Sequence, residues 1–257
     1  MTAALATKHQ RSQGQIVLDY GAGGLVRLRE QGAAKLRLPF GGHEAILINT
    51  GGGLAGGDEF DFTIAVGAQA KLSVTTQAAE RVYRTLGPPA RVATGLQVGG
   101  QAAFSWLPQE TILYDGAGLR RSITAEVAED ARLLAVESFI FGRAAMGETL
   151  RSVSLRDRWR IRRGGNLIFA DDIALSGALP STAATLGNAG AMATIVLISP
   201  DAEAMVEGAR EYSAASAWSG KLVARLLAQD SFDLRKSLIP LLHLLAGGIP
   251  LPKAWSL

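Results

Sequence analysis

Regular alternation of apolar and polar side chains along the first two thirds of the chain constrains the fold most strongly. In the segment EFDFTIAV, residues 59–66, every second side chain is apolar: Phe60, Phe62, Ile64 and Val66. A period of two belongs to a β-strand with one buried face, whereas an amphipathic helix repeats every 3.6 residues. The segment is therefore predicted to be a strand with its apolar face toward a core.

Seven more segments show the same kind of pattern and are predicted to be strands. In KLRLPF, for example, Leu36, Leu38 and Phe40 share one face. The others are KLSVTTQ, GLQVGG, SITAEVAED, RLLAVES, RWRIRR and NLIFADDIAL. Short Gly-, Asp- or Pro-containing turns separate them, and 30 glycines against nine prolines suit a chain with many turns. The chain is predicted to be mainly β.

The pattern changes near residue 200, where three helices are predicted. The first is SPDAEAMVEGAREYS, with Ser199 or Asp201 as its cap. The second is WSGKLVARLLAQ, in which Trp218, Leu222 and Leu226 recur at every fourth position. The third is SFDLRKSLIPLLHLLAGG, whose glycine pair can form a C-cap.

These elements predict a single domain that follows a flexible N-terminal tail. Residues 1–14 are assigned to the tail and residues 15–257 to the domain. Within the domain, a β body is expected over about 15–199 and a small helical part over about 200–257.

The glycine-rich stretch TGGGLAGGD, residues 50–58, contains the spacing of a dinucleotide-binding fingerprint and the frame of a phosphate-binding loop. Both motifs need a helix directly after the loop, since its free N–H groups hold the phosphates. Here a predicted strand follows, and Asp58 stands where the phosphate-binding loop needs Lys. The glycines are therefore expected to form a turn that binds no nucleotide, with Asp58 accepting backbone N–H groups.

Residue composition argues against most catalytic and metal sites. The chain has no Cys, which excludes disulfides, thiolate zinc sites and Cys nucleophiles. Its histidines are isolated: His9, His43 and His243 form no metal-binding pair, and His243 is expected to be a packed core residue. No GxSxG or HExxH motif is present. An enzyme is therefore not expected, and no catalytic residue is assigned.

Charge and hydropathy argue against nucleic-acid and membrane binding. A net charge of +3 is only mildly basic, and no aromatic stacking platform accompanies the arginines. The N-terminus lacks an apolar signal region, and the late apolar stretch SLIPLLHLLAGGIPLP is too short and too interrupted to cross a bilayer. A cytoplasmic protein is expected.

An ordered set of motifs resembles one known family. The glycine stretch is followed by TTQAAERVYR at 75–84, LPQETILYDGA at 107–117 and ESFIFGRAAMGE at 137–148. The C-terminal part adds SGKLVARLLAQDS at 219–231 and IPLPKAW. Each motif alone is weak, but their order and spacing resemble the urease accessory protein family UreD, also called UreH, from about Tyr20 to Trp255.

The resemblance implies a fold, a function and partners. It implies stacked sheets in a β-helix-like arrangement with a small C-terminal helical part. It also implies a non-enzymatic chaperone of urease maturation that docks on apo-urease and binds UreF, which recruits the GTPase UreG. Nickel(II) would be carried in transit through an internal passage rather than held as a tightly bound cofactor.

Carboxylates inside these motifs are the candidates for contacting nickel in transit, because oxygen ligands bind Ni(II) without trapping it. Each can instead be structural, paired with Arg or with backbone N–H groups. Glu137 and Glu148 flank Arg143, which can pair with either. The candidates are Asp58, Glu137, Glu148, Glu110, Asp115 and Glu80.

Two groups of residues are candidates for binding a protein partner. The alternating arginines of RDRWRIRR fall on one strand face, which either is solvated or binds an anionic protein, since Arg pairs well with carboxylates. Asp157 is placed on the inner face. The apolar residues of the second predicted helix either pack on the β body or bind a partner. The candidates are Arg156, Arg158, Arg160, Arg162, Trp218, Leu222 and Leu226.

Two other classes of function stay open at this point. A β-rich binding module for an unrelated protein or carbohydrate is the first alternative, and a hydrolase is the second. The residues that contact nickel are not fixed by the sequence.

Overall fold

The structure, a computed structural model, describes residues 11–39, 42–143 and 146–256. In this part of the chain two β-sheets lie face to face, and a short helical layer covers the outer face of the second sheet.

The first sheet has seven strands. In spatial order they are β14 (Asn166–Gly177), β13 (Val153–Arg163), β11 (Ala117–Val127), β8 (Ala90–Val98), β5 (Glu59–Val66), β1 (Gln13–Gly21) and β2 (Gly24–Gly32). The five strands from β13 to β1 run parallel, and β14 and β2 close the two edges as antiparallel strands.

The second sheet has ten strands. Its main path is β16 (Ala214–Trp218), β17 (Lys221–Ala228), β15 (Ala191–Ile198), β12 (Arg132–Phe141), β9 (Ala103–Leu107), β6 (Lys71–Thr76), β4 (Glu44–Asn49) and β3 (Ala34–Arg37). The short strands β10 (Thr111–Leu113) and β7 (Glu80–Val82) extend it beside β12.

The chain passes back and forth between the sheets, which makes a coil of stacked strands. Parallel neighbours need a long return connection, and here the return runs through the opposite sheet. Successive coils place apolar side chains in register on the inner face of the first sheet. One such row is Leu18, Ile64, Leu96, Ala125 and Ile161. This confirms the predicted β-helix-like arrangement of stacked sheets.

Two apolar cores follow from this layering. One lies between the sheets, and the other lies between the second sheet and the helices. Strand β12 contributes to both: Leu133 and Ala135 face the first sheet, whereas Leu134 and Val136 face the helices. A strand buried on both faces is apolar almost throughout.

The third predicted helix is confirmed as α2, Ser231–Leu245. The Asp230 side chain caps its N-terminus by accepting the N–H of Asp233 at 2.9 Å. Gly247 and Gly248 follow its C-terminus with φ of 62° and 81°. The helix buries a stripe of leucines against the second sheet: Leu234, Leu238, Leu241, Leu242 and Leu245.

The second predicted helix is wrong, because residues 214–228 form a β-hairpin. Its turn is Ser219–Gly220, with φ of 52° and 70°. Leu222 and Leu226 do share a face, because a spacing of four is also a multiple of two. This spacing therefore fits a helix and a strand equally well. Trp218 lies on the other strand and is 48% exposed.

The first predicted helix is reduced to a 3₁₀ turn, Ala202–Met205, and a single α-helical turn, α1 (Val206–Arg210). Neither Ser199 nor Asp201 caps it through its side chain. Asp201 instead pairs with Arg132 at 2.9 Å, so tertiary contacts take the place of the cap.

Two boundaries differ from the predictions. Strand β1 begins at Gln13, inside the predicted tail, and residues 1–10 lie outside the described residues. Strand β3 ends at Arg37, and Phe40 is also outside the described residues.

In the described part of the chain, no helix is both long enough and apolar enough to span a membrane.

The packing of α2 gives a first prediction. Leu238→Ala should lower the free energy of unfolding by about 2–5 kcal/mol, because the fully buried side chain leaves a cavity. Leu244→Ala on the same helix is the matched control, since Leu244 is 39% exposed and should cost well under half as much. Urea unfolding followed by circular dichroism measures both. Equal losses would show that α2 does not form this core.

Candidate functional site

A cavity of about 190 Å³ lies between the two sheets and opens beside the glycine loop. Its wall is apolar on both sides, with Phe60 and Phe62 from the first sheet and Trp106 from the second. The polar side chains of its wall include four from different strands of the two sheets: Thr94, Thr111, Arg121 and Glu137. Glu80 and Arg81 lie at its border, together with Gly52 and Gly53.

Arg121 enters the cavity because it occupies an inward position of β11. Its neighbours in register are Val92 on β8 and Asp157 on β13, so one row of the coil is charged where the next rows are apolar. Arg121 is 7% exposed and Asp157 is fully buried. The charges therefore lie inside the sheet sandwich, where solvent screens them little.

Arg121 joins two buried carboxylates. Its Nε lies 3.0 Å from Asp157 Oδ1, and its Nη1 forms an ion pair with Glu137 Oε2. Two tryptophans hold the other carboxylate oxygens: Trp159 Nε1 donates to Asp157 Oδ2 at 2.8 Å, and Trp106 Nε1 donates to Glu137 Oε1 at 3.1 Å. These contacts fix all three charged groups in place.

The cluster does not satisfy all of its own polar atoms. Arg121 Nη2 makes no hydrogen bond within the described residues, and Glu137 Oε2 contacts Arg121 without accepting one of proper geometry. Gln109, which also lines the cavity, has an Nε2 without a hydrogen-bond partner among the described residues. Two carboxyl groups also face a single guanidinium. Incomplete pairing of buried polar groups is costly, which makes the cluster a candidate site rather than simple packing.

Burial controls the protonation of the cavity carboxyls. It raises the pKa of Glu137 from 4.5 to about 7, against the opposing effect of Arg121. Burial also raises the pKa of Glu80, although Asn49 Nδ2 donates to Glu80 Oε2 at 3.1 Å and opposes the shift. Glu137 can therefore gain or lose its proton near neutral pH.

The glycine loop lies at the border of this cavity and is followed by strand β5, as predicted. Gly53 has a φ of 148°, and a Cβ there would lie 2.4 Å from the Tyr83 ring. Asp58 accepts the backbone N–H groups of Ser12 and Ala55, both at 2.8 Å. This geometry confirms the prediction that the loop forms a turn.

Four of the six candidate carboxylates do not line the cavity. Asp58 is held by the turn, and Glu110 pairs with Arg235 of α2 at 2.6 Å. Asp115 and Glu148 also pair with arginines nearer the surface. Glu80 and Glu137 are therefore the two candidates that the fold brings to one cavity.

Asp115 and Glu148 each form ion pairs with arginine side chains near the surface. Arg151 and Arg84 each lie 2.7 Å from Asp115 Oδ2, and hydrogen bonding to Arg151 lowers the pKa of Asp115 to about 2. Arg143 Nε lies 3.0 Å from Glu148 Oε2 and lowers the pKa of that carboxyl. Arg143 therefore pairs with Glu148, while Glu137 pairs with Arg121.

Arg121 was not identified from the sequence, although a signal was present. In AGLRRSITAEV it interrupts an alternating row whose other inward members, Leu119, Ile123 and Ala125, are apolar. A charged residue at such a position needs a buried partner. That partner, Glu137, lies on a different sheet, so its identity did not follow from the alternation.

The arginines of β13 lie on the outer face of the first sheet, as predicted, and Asp157 lies on the inner face. Arg156 and Arg158 both contact Asp172, at 2.9 and 3.1 Å, and hydrogen bonding to Arg156 lowers the pKa of Asp172 to about 2. Arg160 donates to backbone carbonyls, and Arg162 lies 3.9 Å from Glu126. A partner for this face stays a prediction.

The three apolar candidates for partner binding differ in their exposure to solvent. Leu222 and Leu226 pack inside the protein beneath α2 and are not available at its surface. Trp218 remains half-exposed, and the Lys221 ammonium lies 4.4 Å from its ring centroid.

The described residues contain no group of three His, Asp or Glu side chains able to hold a metal ion. His43 is exposed, with Nδ1 3.2 Å from the Lys71 carbonyl oxygen. His243 is exposed in the last turn of α2, so its prediction as a core residue is wrong. It lies outside the leucine stripe that faces the sheet. His9 is outside the described residues.

Fold and site together define a two-sheet β-coil protein with a small helical cover and buried carboxyls in an internal cavity. The family model "UreD urease accessory protein" matches residues 12–256. The chain belongs to the UreD family of urease accessory proteins, and its role lies in the maturation of urease.

Relatives named urease accessory protein UreD match almost end to end. The protein of Rhizobium leguminosarum bv. viciae is 46% identical over 273 residues, covering 100% of this chain and 99% of its own. That of Methylobacterium sp. (strain 4-46) is 44% identical, covering 96% of both chains. That of Mesorhizobium japonicum is 46% identical, covering 91% of this chain and 88% of its own.

The raised pKa of Glu137 predicts how stability depends on pH. The folded protein holds this proton more tightly than the unfolded chain does, so the resulting stability is present below pH 4.5 and is lost as the pH rises through about 7. Glu137→Gln should remove this loss. Its stability relative to the wild type should rise by about 3 kcal/mol across this range, since one pKa unit corresponds to about 1.36 kcal/mol.

Urea unfolding at a series of pH values measures this difference. Glu148→Gln is the control with the opposite sign, because the pKa of Glu148 is lowered and its contribution is lost as the pH falls. The free energies of unfolding of Glu137→Gln and the wild type could instead differ by the same amount at every pH. That result would show that Glu137 is ionised throughout.

Proposed function

We propose that this protein is a non-catalytic maturation factor that helps load nickel into apo-urease. In this proposal it docks on apo-urease in the cytoplasm and binds UreF, through which the GTPase UreG joins the assembly. Membership of the UreD family supports the role in maturation. The single observation that supports nickel handling is the cavity with two weakly acidic carboxyls, the buried Glu137 and the half-buried Glu80.

The chemistry of this cavity suits a divalent cation in transit. Ni(II) accepts carboxylate oxygens, and a carboxyl group with a pKa of about 7 can release its proton when a cation arrives. The neighbouring guanidinium of Arg121 repels a cation and keeps it from being held tightly. We propose that the cavity forms one stage of the route along which nickel moves, with Glu80 and Glu137 as its contacts.

The other four carboxylates are proposed to be structural. Asp58 holds the glycine turn, and Glu110 fastens α2 to the second sheet through Arg235. Asp115 and Glu148 order surface segments through their arginine pairs. Their neutralisation should therefore affect stability more than nickel loading.

Nucleotide hydrolysis belongs to UreG in this proposal. The glycine loop leads into strand β5, so it offers no helix N-terminus to a phosphate, and Asp58 would repel one. We propose that no cofactor is tightly bound and that this chain contributes docking and a path for the ion.

Neutralising the cavity carboxyls should separate nickel loading from assembly. Glu80→Gln and Glu137→Gln keep the side-chain volume but remove the negative charge. Urease co-expressed with either variant should assemble with the accessory proteins as in the wild type, yet contain several-fold less nickel and show correspondingly lower activity. Affinity capture and metal analysis of one preparation measure both quantities.

Glu148→Gln is the matched control, because its carboxylate lies outside the cavity and should leave nickel loading unchanged. Normal loading by both cavity variants would contradict the transit role of these residues. Failure of the wild-type chain to associate with any urease component would contradict the proposed function itself.

A further inference from the structure

We propose that the open edge of the second sheet, strand β16, binds an extended segment of another protein of the urease assembly by strand addition. This inference rests on the proposed function, because it takes the partner from that assembly. The segment would pair backbone to backbone with Ala214–Trp218 and place alternate side chains in the grooves beside this strand.

Strand β16 itself contains no charged residue. Sheet edges are usually protected by charged side chains, which prevent pairing with other chains. Edge strands β2, β14 and β3 each carry such charges: Arg27 and Arg29, Asp171 and Asp172, and Lys35 and Arg37. Strand β16 reads AASAW and carries none.

The backbone of β16 presents hydrogen-bonding groups to the outside. Arg210 Nε donates to the carbonyl oxygen of Ala215 at 3.2 Å, so this carbonyl points away from β17. Since backbone groups alternate along a strand, those of Ala217 point the same way. Ser216, between them, faces β17 and pairs with Val223. Because the Ala215 carbonyl already accepts from Arg210, an added strand would pair with the Ala215 N–H and with the N–H and carbonyl of Ala217.

Two adjoining grooves flank the strand. One, of about 570 Å³, is lined by Ser216, Trp218, Val223 and Arg225. The other, of about 760 Å³, starts at Ala214 and is lined by further apolar side chains, including Leu186, Tyr212 and Leu227. Trp218 in the first groove and Tyr212 and Leu227 in the second are 48%, 36% and 51% exposed, so large apolar side chains are accessible toward both ends of the strand.

The grooves also indicate the composition of the segment. Arg210 and Arg225 line the first groove, and their side chains are 51% and 42% exposed. Each already contacts one carboxylate, Glu207 and Asp171, and each guanidinium keeps further N–H donors. An extended segment with apolar residues at alternate positions and one acidic residue would complement Trp218, Tyr212 and these arginines.

Proline at the edge tests the backbone pairing. Ala217→Pro removes the outward N–H and leaves the hydrogen bonds between β16 and β17 in place, since proline is tolerated where a strand N–H faces solvent. Ala217→Ser is its matched control and keeps the N–H. A second variant, Ser216→Lys, places a charge in the first groove. Ser176→Lys, on the exposed edge strand β14, is the control for added charge.

The assay is affinity capture of the tagged full-length chain co-expressed with the urease subunits, UreF and UreG. We expect Ala217→Pro and Ser216→Lys to reduce capture of one of these components at least tenfold, while both controls capture it as the wild type does. Hydrogen exchange of the wild-type chain in this complex should show slowed exchange of the Ala215 and Ala217 amides relative to the isolated chain.

The possible results of these experiments distinguish the inference about the β16 edge from the proposed function. Wild-type capture by both variants, together with unchanged exchange of these amides, overturns the edge inference alone. If Ala217→Pro does not fold, Ser216→Lys and the exchange measurement still decide. Slowed exchange in the concentrated isolated chain would identify a second copy as the occupant and overturn the inference. Absence of any wild-type complex overturns the proposed function along with it.

Discussion

The register of inward-facing side chains across the parallel coils is the constraint on which the rest of the structure depends. Leu18, Ile64, Leu96, Ala125 and Ile161 stack from strand to strand because each coil returns to the same height in the first sheet. This row excludes water and fixes where every other inward side chain lies. A shift of one residue would turn the whole row outward.

The row four residues earlier on each strand shows how the same register builds the site. It carries Phe60, Val92, Arg121 and Asp157 in place of a continuous apolar stack, and it meets Glu137 from the opposite sheet. Burying three charges costs stability unless each is paired, and here the pairing is incomplete. The sheet sandwich buries the cluster, and this burial raises the pKa of Glu137 against the opposing effect of Arg121.

The second sheet is larger than the first and is covered by a small helical layer. Helix α2 covers its outer face, and Arg132 ties β12 to the helix end by donating to the Leu245 carbonyl oxygen at 2.5 Å. At β16 the sheet ends in an edge without charges, beside grooves with exposed apolar side chains. An internal cavity and an open edge thus lie in different parts of one framework, and each can be altered without the other.

Local alternation predicted eight strands of the β body, including the one after the glycine loop, and a helical period predicted α2, because these patterns depend on neighbours along the chain. The other strands of the β body became evident only in the folded protein. The coiled arrangement came from the resemblance to a family, since the coils return at unequal intervals and leave no repeat in the sequence. That residues 214–228 form a hairpin follows from strand pairing in the folded protein, because a spacing of four fits both the helical and the strand period. The tertiary structure also shows that Arg143 pairs with Glu148, five residues along the chain, and leaves Glu137 to Arg121. The pair of Arg121 with Glu137 crosses the two sheets, so it is set by which coils face each other and not by distance along the chain.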